Sequence, residues 1–127
     1  MKKNRCVLLG CTGYIGRHLL HYLKQKDIEP MCFDINPTFD ASSNYQQIDL
    51  TNKNDVDKIN LDVDFIFMLA GLTGTYNGFD NYETYVNVNE LGLLNLLDAI
   101  RKTSYRPRII FPSSRLVYKG AAGFSCF

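Results

Sequence analysis

The sequence lacks any apolar run of the ~20 residues that a membrane-spanning helix needs. Its four cysteines show no Cys-x-x-Cys spacing, so the usual signature of a zinc or dithiol site is missing. An excess of charge is missing too, because 14 Lys and Arg residues face 13 Asp and Glu residues. We therefore expect no membrane, nucleic-acid or metal partner, and a small molecule as the ligand.

The first residues contain too short an apolar stretch for a signal peptide, which makes the cytoplasm the expected location. Cys6, Cys11 and Cys32 fall in or beside apolar segments, and with Cys126 they are expected to be reduced rather than paired. A chain of 127 residues is long enough for one domain, residues 1–127, with a core of its own.

The most informative segment is residues 6–20, CVLLGCTGYIGRHLL, in which an apolar run leads into three glycines and then helical spacing. This pattern predicts a strand, a phosphate-binding loop and a helix. Gly10 can make the turn off the strand, Gly13 lets the backbone approach a pyrophosphate, and Gly16 lets the helix pack closely. The unpaired N–H groups of the first helical turn, residues 14–17, would face the phosphates.

An acidic residue supports this interpretation. Asp34 lies 18 residues after Gly16, at the end of the apolar run PMCFD, where a carboxylate would accept a hydrogen bond from a ribose 2′-hydroxyl. The alternative is a glycine turn between two packed elements that binds no ligand.

Apolar strand-like segments alternate with helical ones along the whole chain. The further strands are predicted at Met31–Asp34, Tyr45–Leu50, Asp64–Gly71 and Arg106–Ser114, with a short helix capped by Thr51 or Asn52 and a long helix over Asn81–Lys102. Leu72–Phe79, with three hydroxyl side chains and two glycines, is predicted as either a binding loop or an ordinary turn-rich connection. This alternation predicts an α/β fold with a doubly wound parallel sheet.

The long helix carries more apolar residues than one face can hold. An arc is expected to cover the sheet, and it contains Val86, Leu93, Leu97 and Ile100. The off-arc residues Val88, Leu91 and Leu94 would need a second cover, either another part of the chain or a second subunit. A helix that is simply apolar and buried is the alternative.

Several motifs together resemble the extended short-chain dehydrogenase/reductases, and most closely their NAD-dependent nucleotide-sugar epimerases and dehydratases. The motifs are Gly10-x-x-Gly13-x-x-Gly16, Asp34, Asp49-Leu50, the Asp64–Gly71 strand, Asn89 with Gly92, NLLDA and SSRLVY. The resemblance implies a Rossmann fold with strand order 3-2-1-4-5 and NAD as cofactor. It covers nearly all of the first 120 residues.

The resemblance also implies roles for individual residues. The glycine loop would hold the pyrophosphate, Asp34 the adenosine ribose, Asp49 and Leu50 the adenine, and the strand end the nicotinamide side. Asn89 would brace the backbone of the site. The implied cofactor-binding residues are Gly10, Thr12, Gly13, Tyr14, Ile15, Gly16, Asp34, Asp49, Leu50, Leu69, Ala70, Gly71 and Asn89.

Ser114 matches the family's catalytic serine or threonine, which acts with a tyrosine and lysine spaced Tyr-x-x-x-Lys. The one such spacing in this sequence, Tyr22 with Lys26, lies on the first helix, where Tyr22 is expected to pack in the core. We therefore expect a truncated or frameshifted chain, or an excised fragment, that is not a competent catalyst alone.

Truncation after the fifth strand would expose an apolar sheet edge at Arg108–Phe111 and one side of the Asn81–Lys102 helix. Homo-oligomers through either surface are therefore expected. Two alternatives to a nucleotide-sugar enzyme remain at this point. One is a non-catalytic NAD(P)-binding sensor, and the other is half of a split enzyme that a partner chain completes.

Overall fold

The computed structural model describes residues 4–114, 117 and 118. The strands are β1 Cys6–Leu9, β2 Met31–Asp34, β3 Tyr45–Gln47, β4 Phe65–Met68 and β5 Arg108–Ile110. The helices are α1 Tyr14–Gln25, α2 Lys53–Val56, α3 Thr75–Asp80, α4 Tyr82–Val86 and α5 Gly92–Arg101, with a π-helical turn over Asn87–Leu91 between the last two.

The five strands form one sheet in the order β3-β2-β1-β4-β5, and every pair is parallel. Central strand β1 sets the register, because Leu8 lies opposite Cys32 on β2 and Phe67 on β4. The sheet confirms the doubly wound topology and the strand order expected from the resemblance.

Side chains of β1 alternate between the two faces of the sheet, as the pleat requires. Val7 and Leu9 join a large buried cluster with Ile66, Met68 and Leu96. On the opposite face, Leu8 joins a smaller cluster under helix α1. Three successive buried apolar residues in β1 are therefore explained by helices on both faces of the sheet.

Strand β2 has its predicted bounds, whereas β3, β4 and β5 are shorter than predicted, and one helix was missed. Ladder pairing of β3 stops at Gln47 instead of Leu50, since the chain turns at Asp49, whose carboxylate accepts the Thr51 N–H. The predicted loop over Leu72–Phe79 contains α3 Thr75–Asp80.

The region predicted as one long helix is helical from Tyr82 to Arg101, but the predicted core arc is partly wrong. Val86 is 47% and Leu97 41% exposed, whereas Ile100 is buried as expected. The buried face carries Gly92, Asn95, Leu96, Ala99 and Ile100. Apolar residues occur all around this helix, so their spacing could not select the face.

A close approach decides that face instead. A Cβ on Gly92 would lie 3.1 Å from Cβ of Leu50, so α5 packs near van der Waals distance on the segment after β3. The π-helical turn also shifts the helical phase between α4 and α5, because it fits more residues per turn.

Among the described residues, no helix reaches the length and apolarity that crossing a bilayer requires. β5 lies at one border of the sheet, and Ile110 and Phe111 beside it are exposed.

Candidate functional site

A cleft of about 360 Å³ opens at the carboxyl ends of β1, β2 and β4. The chain runs from β1 to β2 and β3 on one side and to β4 and β5 on the other, so strand order reverses beside the cleft. Parallel α/β sheets bind ligands at this switch point. The lining residues are Leu9, Gly10, Thr12, Gly13, Phe33, Asp34, Ile35, Ile48, Asp49, Leu50, Thr51, Leu69, Ala70, Gly71, Leu72, Thr84 and Val88.

Two glycines of the loop after β1 are required by space. Gly10 has φ +85°, and a Cβ there would lie 2.5 Å from the amide nitrogen of Ala70. A Cβ on Gly16 would lie 2.1 Å from the carbonyl oxygen of Gly10. The loop therefore presses against the end of β4 on one side and helix α1 on the other, as the sequence predicted for a close helix–strand contact.

Gly13 differs because it is exposed and a Cβ there would clash with nothing. Its φ is −70°, and a Cβ there would meet Gly10 O at 3.4 Å, an ordinary contact. Gly13 is also the N-cap of α1, which has no side-chain cap and no acidic residue in its first turn. The N–H groups of that turn and the helix dipole thus make an anion-binding surface beside Gly13.

Asp34 ends β2 and is tied to the loop by its carboxylate. Oδ2 accepts hydrogen bonds from the Thr12 N–H at 2.9 Å and the Thr12 hydroxyl at 2.8 Å, and Oδ1 accepts from the Ile35 N–H at 2.7 Å. The acid that the sequence assigned to a ribose therefore lies in the same cleft as the glycine loop.

Asp49 has a similar arrangement on the next strand end. Its Oδ1 accepts from the N–H and the hydroxyl of Thr51 at 2.9 and 2.7 Å. Its own N–H donates to Asp55, and a hydrogen bond from Lys58 together with that N–H lowers the pKa of Asp55. The buried amide of Asn95 donates to the Leu50 carbonyl at 2.8 Å, which fixes the neighbouring wall of the cleft.

The side chain of Asn89 supports the far wall of the cleft by hydrogen bonding to backbone groups of Leu72. Its Oδ1 accepts the Leu72 N–H at 2.7 Å, and its Nδ2 donates to the Leu72 carbonyl at 2.9 Å. A Cβ on Gly71 would lie 3.1 Å from the same Oδ1, so a glycine fits best there. This contact has the form of the bracing role expected for Asn89.

Most sequence-predicted site residues line the cleft: Gly10, Thr12, Gly13, Asp34, Asp49, Leu50, Leu69, Ala70 and Gly71. Gly16 and Asn89 lie behind it, and the side chains of Tyr14 and Ile15 are exposed at the start of α1. Ser114 is exposed and outside the cleft, with its carbonyl accepting the Val117 N–H at 3.2 Å. The structure therefore does not bring Ser114 to the lining.

Sequence reasoning missed several lining residues. Thr51 could have been found, because it follows Asp49-Leu50 directly and can bond the carboxylate two residues back. Thr84 and Val88 are four residues apart, as on one face of an α-helix. Val88 lies in the π-helical turn, however, so α-helical spacing could not predict which way the two side chains face. Phe33 and Ile48 were assigned only to strands, and Ile35, which follows the strand Met31–Asp34, was given no role.

Tyr22 and Lys26 lie on the outside of α1 and away from the cleft lining. The prediction that Tyr22 packs in the core is wrong, because its side chain is 55% exposed and Lys26 Nζ lies 5.7 Å from its ring centroid. The α1 side chains that do face the core are Leu20 and Leu23.

The structure describes three of the four cysteines, and all three are buried. Cys6, Cys11 and Cys32 are free and buried, and burial raises the pKa of Cys6 to about 11. A hydrogen bond with Cys32, together with burial, raises the pKa of Cys11. Cys126 lies outside the described residues. Within the part of the chain that the structure describes, no three His, Cys, Asp or Glu side chains group as metal ligands.

Residues 6–124 match the model of the NAD dependent epimerase/dehydratase family. The chain belongs to this family. A curated relative is the decarboxylating sterol-4-alpha-carboxylate 3-dehydrogenase of Mus musculus, 26% identical over 120 residues, which are 94% of this chain and 32% of the relative. Another is CDP-paratose 2-epimerase of Salmonella typhi, 28% identical over an alignment of 127 positions that covers 90% of this chain and 38% of the relative.

A solved structure of a variant uronate dehydrogenase from Agrobacterium tumefaciens, complexed with NAD, has a TM-score of 0.69 and 28% identity. The match covers 87% of this chain and 41% of that chain. This chain spans only 32% and 38% of the length of the two curated relatives above.

Proposed function

We propose that this chain is the NAD-binding part of a nucleotide-sugar epimerase or dehydratase. The observation that carries the proposal is that Gly13 is exposed at the start of α1, which has no side-chain cap, in the cleft that Asp34 also lines. An anion site and a ribose acceptor at one switch point match the two polar parts of a dinucleotide.

The residues fit this cofactor from one end to the other. The loop from Gly10 to Gly16 would hold the pyrophosphate, and Asp34 would hold the adenosine ribose. Asp49 and Leu50, fixed by Thr51 and Asn95, would border the adenine. Leu69, Ala70 and Gly71 would line the nicotinamide side. Bound there, NAD supplies a hydride acceptor for oxidation of a substrate hydroxyl.

NAD is preferred over NADP in this proposal. The carboxylate of Asp34 accepts from a 2′-hydroxyl and repels a 2′-phosphate. Titration calorimetry of the purified chain with each nucleotide tests this. The expected result is measurable NAD binding at least tenfold tighter than NADP binding. Equal or tighter NADP binding contradicts the assignment.

The proposed substrate is a nucleotide sugar, which is the class named in the CDP-paratose 2-epimerase relative. Chemistry on it needs a base near the nicotinamide side, and Ser114 lies outside the cleft with no Tyr-x-x-x-Lys beside it in the described residues. Proton abstraction by a positioned base contributes about 10²–10⁴-fold. The 127-residue polypeptide is therefore expected to show no turnover with UDP-, dTDP- or GDP-sugars.

Activity of this polypeptide that Tyr22→Phe abolishes would contradict that expectation. Restoration of turnover by an added polypeptide that supplies Tyr-x-x-x-Lys would support it. Both assays follow NADH absorbance and sugar product in parallel.

The exposed side of the α4–α5 helical segment is proposed to contact a second copy of the chain. Its exposed apolar side chains are Tyr82, Val86, Leu91, Leu94 and Leu97. Apolar patches of this kind mark interaction surfaces, and a two-fold pair would cover both at once. Sedimentation analysis should show a dimer that Leu94→Glu converts to a monomer. If Ile110→Lys rather than Leu94→Glu converts the dimer to a monomer, the contact lies at the β5 edge.

The cytoplasm is the proposed location, supported by the three free buried thiols.

A further inference from the structure

A closed circuit of contacts surrounds the cleft face of Asp34 and joins the glycine loop to the segment after β2. Asn36 Nδ2 donates to the Thr12 hydroxyl at 2.6 Å, and that hydroxyl donates to Asp34 Oδ2 at 2.8 Å. The hydroxyl of Tyr45 donates to the carbonyls of Asn36 and, at 3.3 Å, Asp34. Thr12 thus accepts one hydrogen bond and passes one on.

The circuit continues through side chains that hold Tyr45 and the glycine loop. Phe39 meets the Tyr45 ring edge-on with centroids 5.5 Å apart, and the Arg17 guanidinium lies 6.0 Å from the Phe39 centroid. Arg17 Nε donates back to the Thr12 carbonyl at 2.7 Å. Taken together, these contacts join the glycine loop at Thr12 to the segment after β2.

The protonation state of Tyr45 suits its place in this circuit. Burial, together with the charge of Asp34, raises the pKa of Tyr45 to about 12. Its hydroxyl is therefore a hydrogen-bond donor throughout the neutral pH range.

The hydrogen bonds that the Asp34 carboxylate already accepts leave part of it available to a ligand. An ionised carboxylate has about four acceptor positions, two on each oxygen. Thr12 fills both positions on Oδ2, and the Ile35 N–H fills one on Oδ1. About one acceptor position remains, on Oδ1 of a side chain that lines the cleft.

We propose that Thr12, held by Asn36, is a specificity-determining positioning residue: it prevents Asp34 from turning away from a nucleotide. A 2′-phosphate could be accommodated if this carboxylate rotated out of its path. Rotation would break both bonds on Oδ2, so the carboxylate stays in place to accept a ribose hydroxyl and to repel a phosphate. The inference rests on the proposed NAD-binding function and adds a selectivity mechanism that Asp34 alone does not provide.

The test compares the ratio of NAD to NADP dissociation constants, measured by titration calorimetry, in four variants. Thr12→Val removes the hydroxyl but keeps shape and the backbone N–H, and Asn36→Ala removes the hydrogen bond that holds the hydroxyl. We expect Thr12→Val to lower the preference for NAD by about tenfold and Asn36→Ala by about threefold. Thr12→Ser, which keeps the hydroxyl, should retain the preference within about twofold.

Thr51 supplies a matched control within the same cleft. Its N–H and hydroxyl bond one oxygen of Asp49 as those of Thr12 bond Asp34. Thr51→Val should weaken both nucleotides by the same factor and leave their ratio within about twofold of wild type. A merely structural role for Thr12 would give this same result for Thr12→Val.

The outcomes separate the two proposals. A wild-type chain that folds but binds neither nucleotide contradicts the proposed function. A wild-type chain that prefers NAD, with Thr12→Val and Asn36→Ala keeping that preference, contradicts the role of Thr12. If Thr12→Val fails to fold by circular dichroism, Asn36→Ala decides, because Asn36 is exposed.

Discussion

Asn89 pairs with both backbone hydrogen-bonding groups of Leu72, accepting from its N–H and donating to its carbonyl. Asn89 belongs to the π-helical turn, and Leu72 follows β4 at the wall of the cleft. The Asn89 side chain therefore supplies the two hydrogen bonds that a neighbouring strand would supply if Leu72 were still part of the sheet. Single π-helical turns are frequent at functional sites. Here the turn places the Asn89 amide beside Leu72, whose backbone groups have no partner in the sheet.

Asn89→Asp should loosen this segment. The carboxylate can still accept from the Leu72 N–H, but it loses the donor and lies against the Leu72 carbonyl. We expect the free energy of unfolding in urea to fall by about 1–2 kcal/mol and the Leu72 amide to exchange faster. Asn87→Ala, an exposed site on the same turn, is the control and should change neither measurement.

Two glycines three residues apart should respond in opposite ways. Gly13→Val puts a side chain at an exposed position where the pyrophosphate would lie and where its Cβ meets the protein only at an ordinary 3.4 Å contact, so NAD binding should be lost while the melting temperature is retained. Gly16→Ala puts a Cβ 2.1 Å from the Gly10 carbonyl, so stability should fall. Normal NAD binding by a folded Gly13→Val chain would mean that the loop is only a turn.

Asp34→Ala should weaken NAD far more than NADP. Loss of a charge-assisted hydrogen bond costs about 1.5–3 kcal/mol, or one to two decades in the dissociation constant for NAD. Asp40→Ala removes the same charge from an exposed position a few residues away and should leave both constants nearly unchanged. Equal effects of the two variants would attribute the result to net charge rather than to contact with ribose.

The end of α5 should show a small acid-dependent loss of stability. Hydrogen bonds from Lys102 and Arg101 lower the pKa of Asp98 from 3.8 to about 2. A lowered folded-state pKa means that the ion pairs contribute above about pH 4 and are lost as the pH falls through 2. Carboxyl titration by NMR should give a pKa near 2 that Lys102→Gln raises, and an unchanged value would exclude the ion pair in solution.

The local part of the site could be predicted from sequence because its determinants are local. The spacing of Gly10, Gly13 and Gly16 after an apolar run fixes a strand, a turn and a helix, and the structure has all three. Asp34 could be placed because a parallel neighbour brings its strand end to the same edge of the sheet.

The rest depends on contacts between distant residues. The buried face of α5 follows from Gly92 meeting Leu50, and no spacing within the helix encodes that choice. The hydrogen bond from Asn36 to Thr12 joins residues in separate elements, so the sequence singled out Thr12 but neither Asn36 nor the contact between the two. Helix α3 was missed because its sequence, TYNGFD, has glycine and polar residues that favour turns.

The pairing of β1 with both neighbours has a consequence for the order of assembly. Cys6 lies opposite Phe65 on β4, whereas Val7 lies opposite Met31 on β2. Closing the longer loop costs more chain entropy, and chains that emerge from the ribosome fold N-terminal segments first. The half of the cleft that contains Thr12, Asp34 and its circuit can thus form before the Gly10 turn meets Ala70. Loop-closure entropy therefore favours forming the Asp34 side of the cleft first and adding the opposite wall to it.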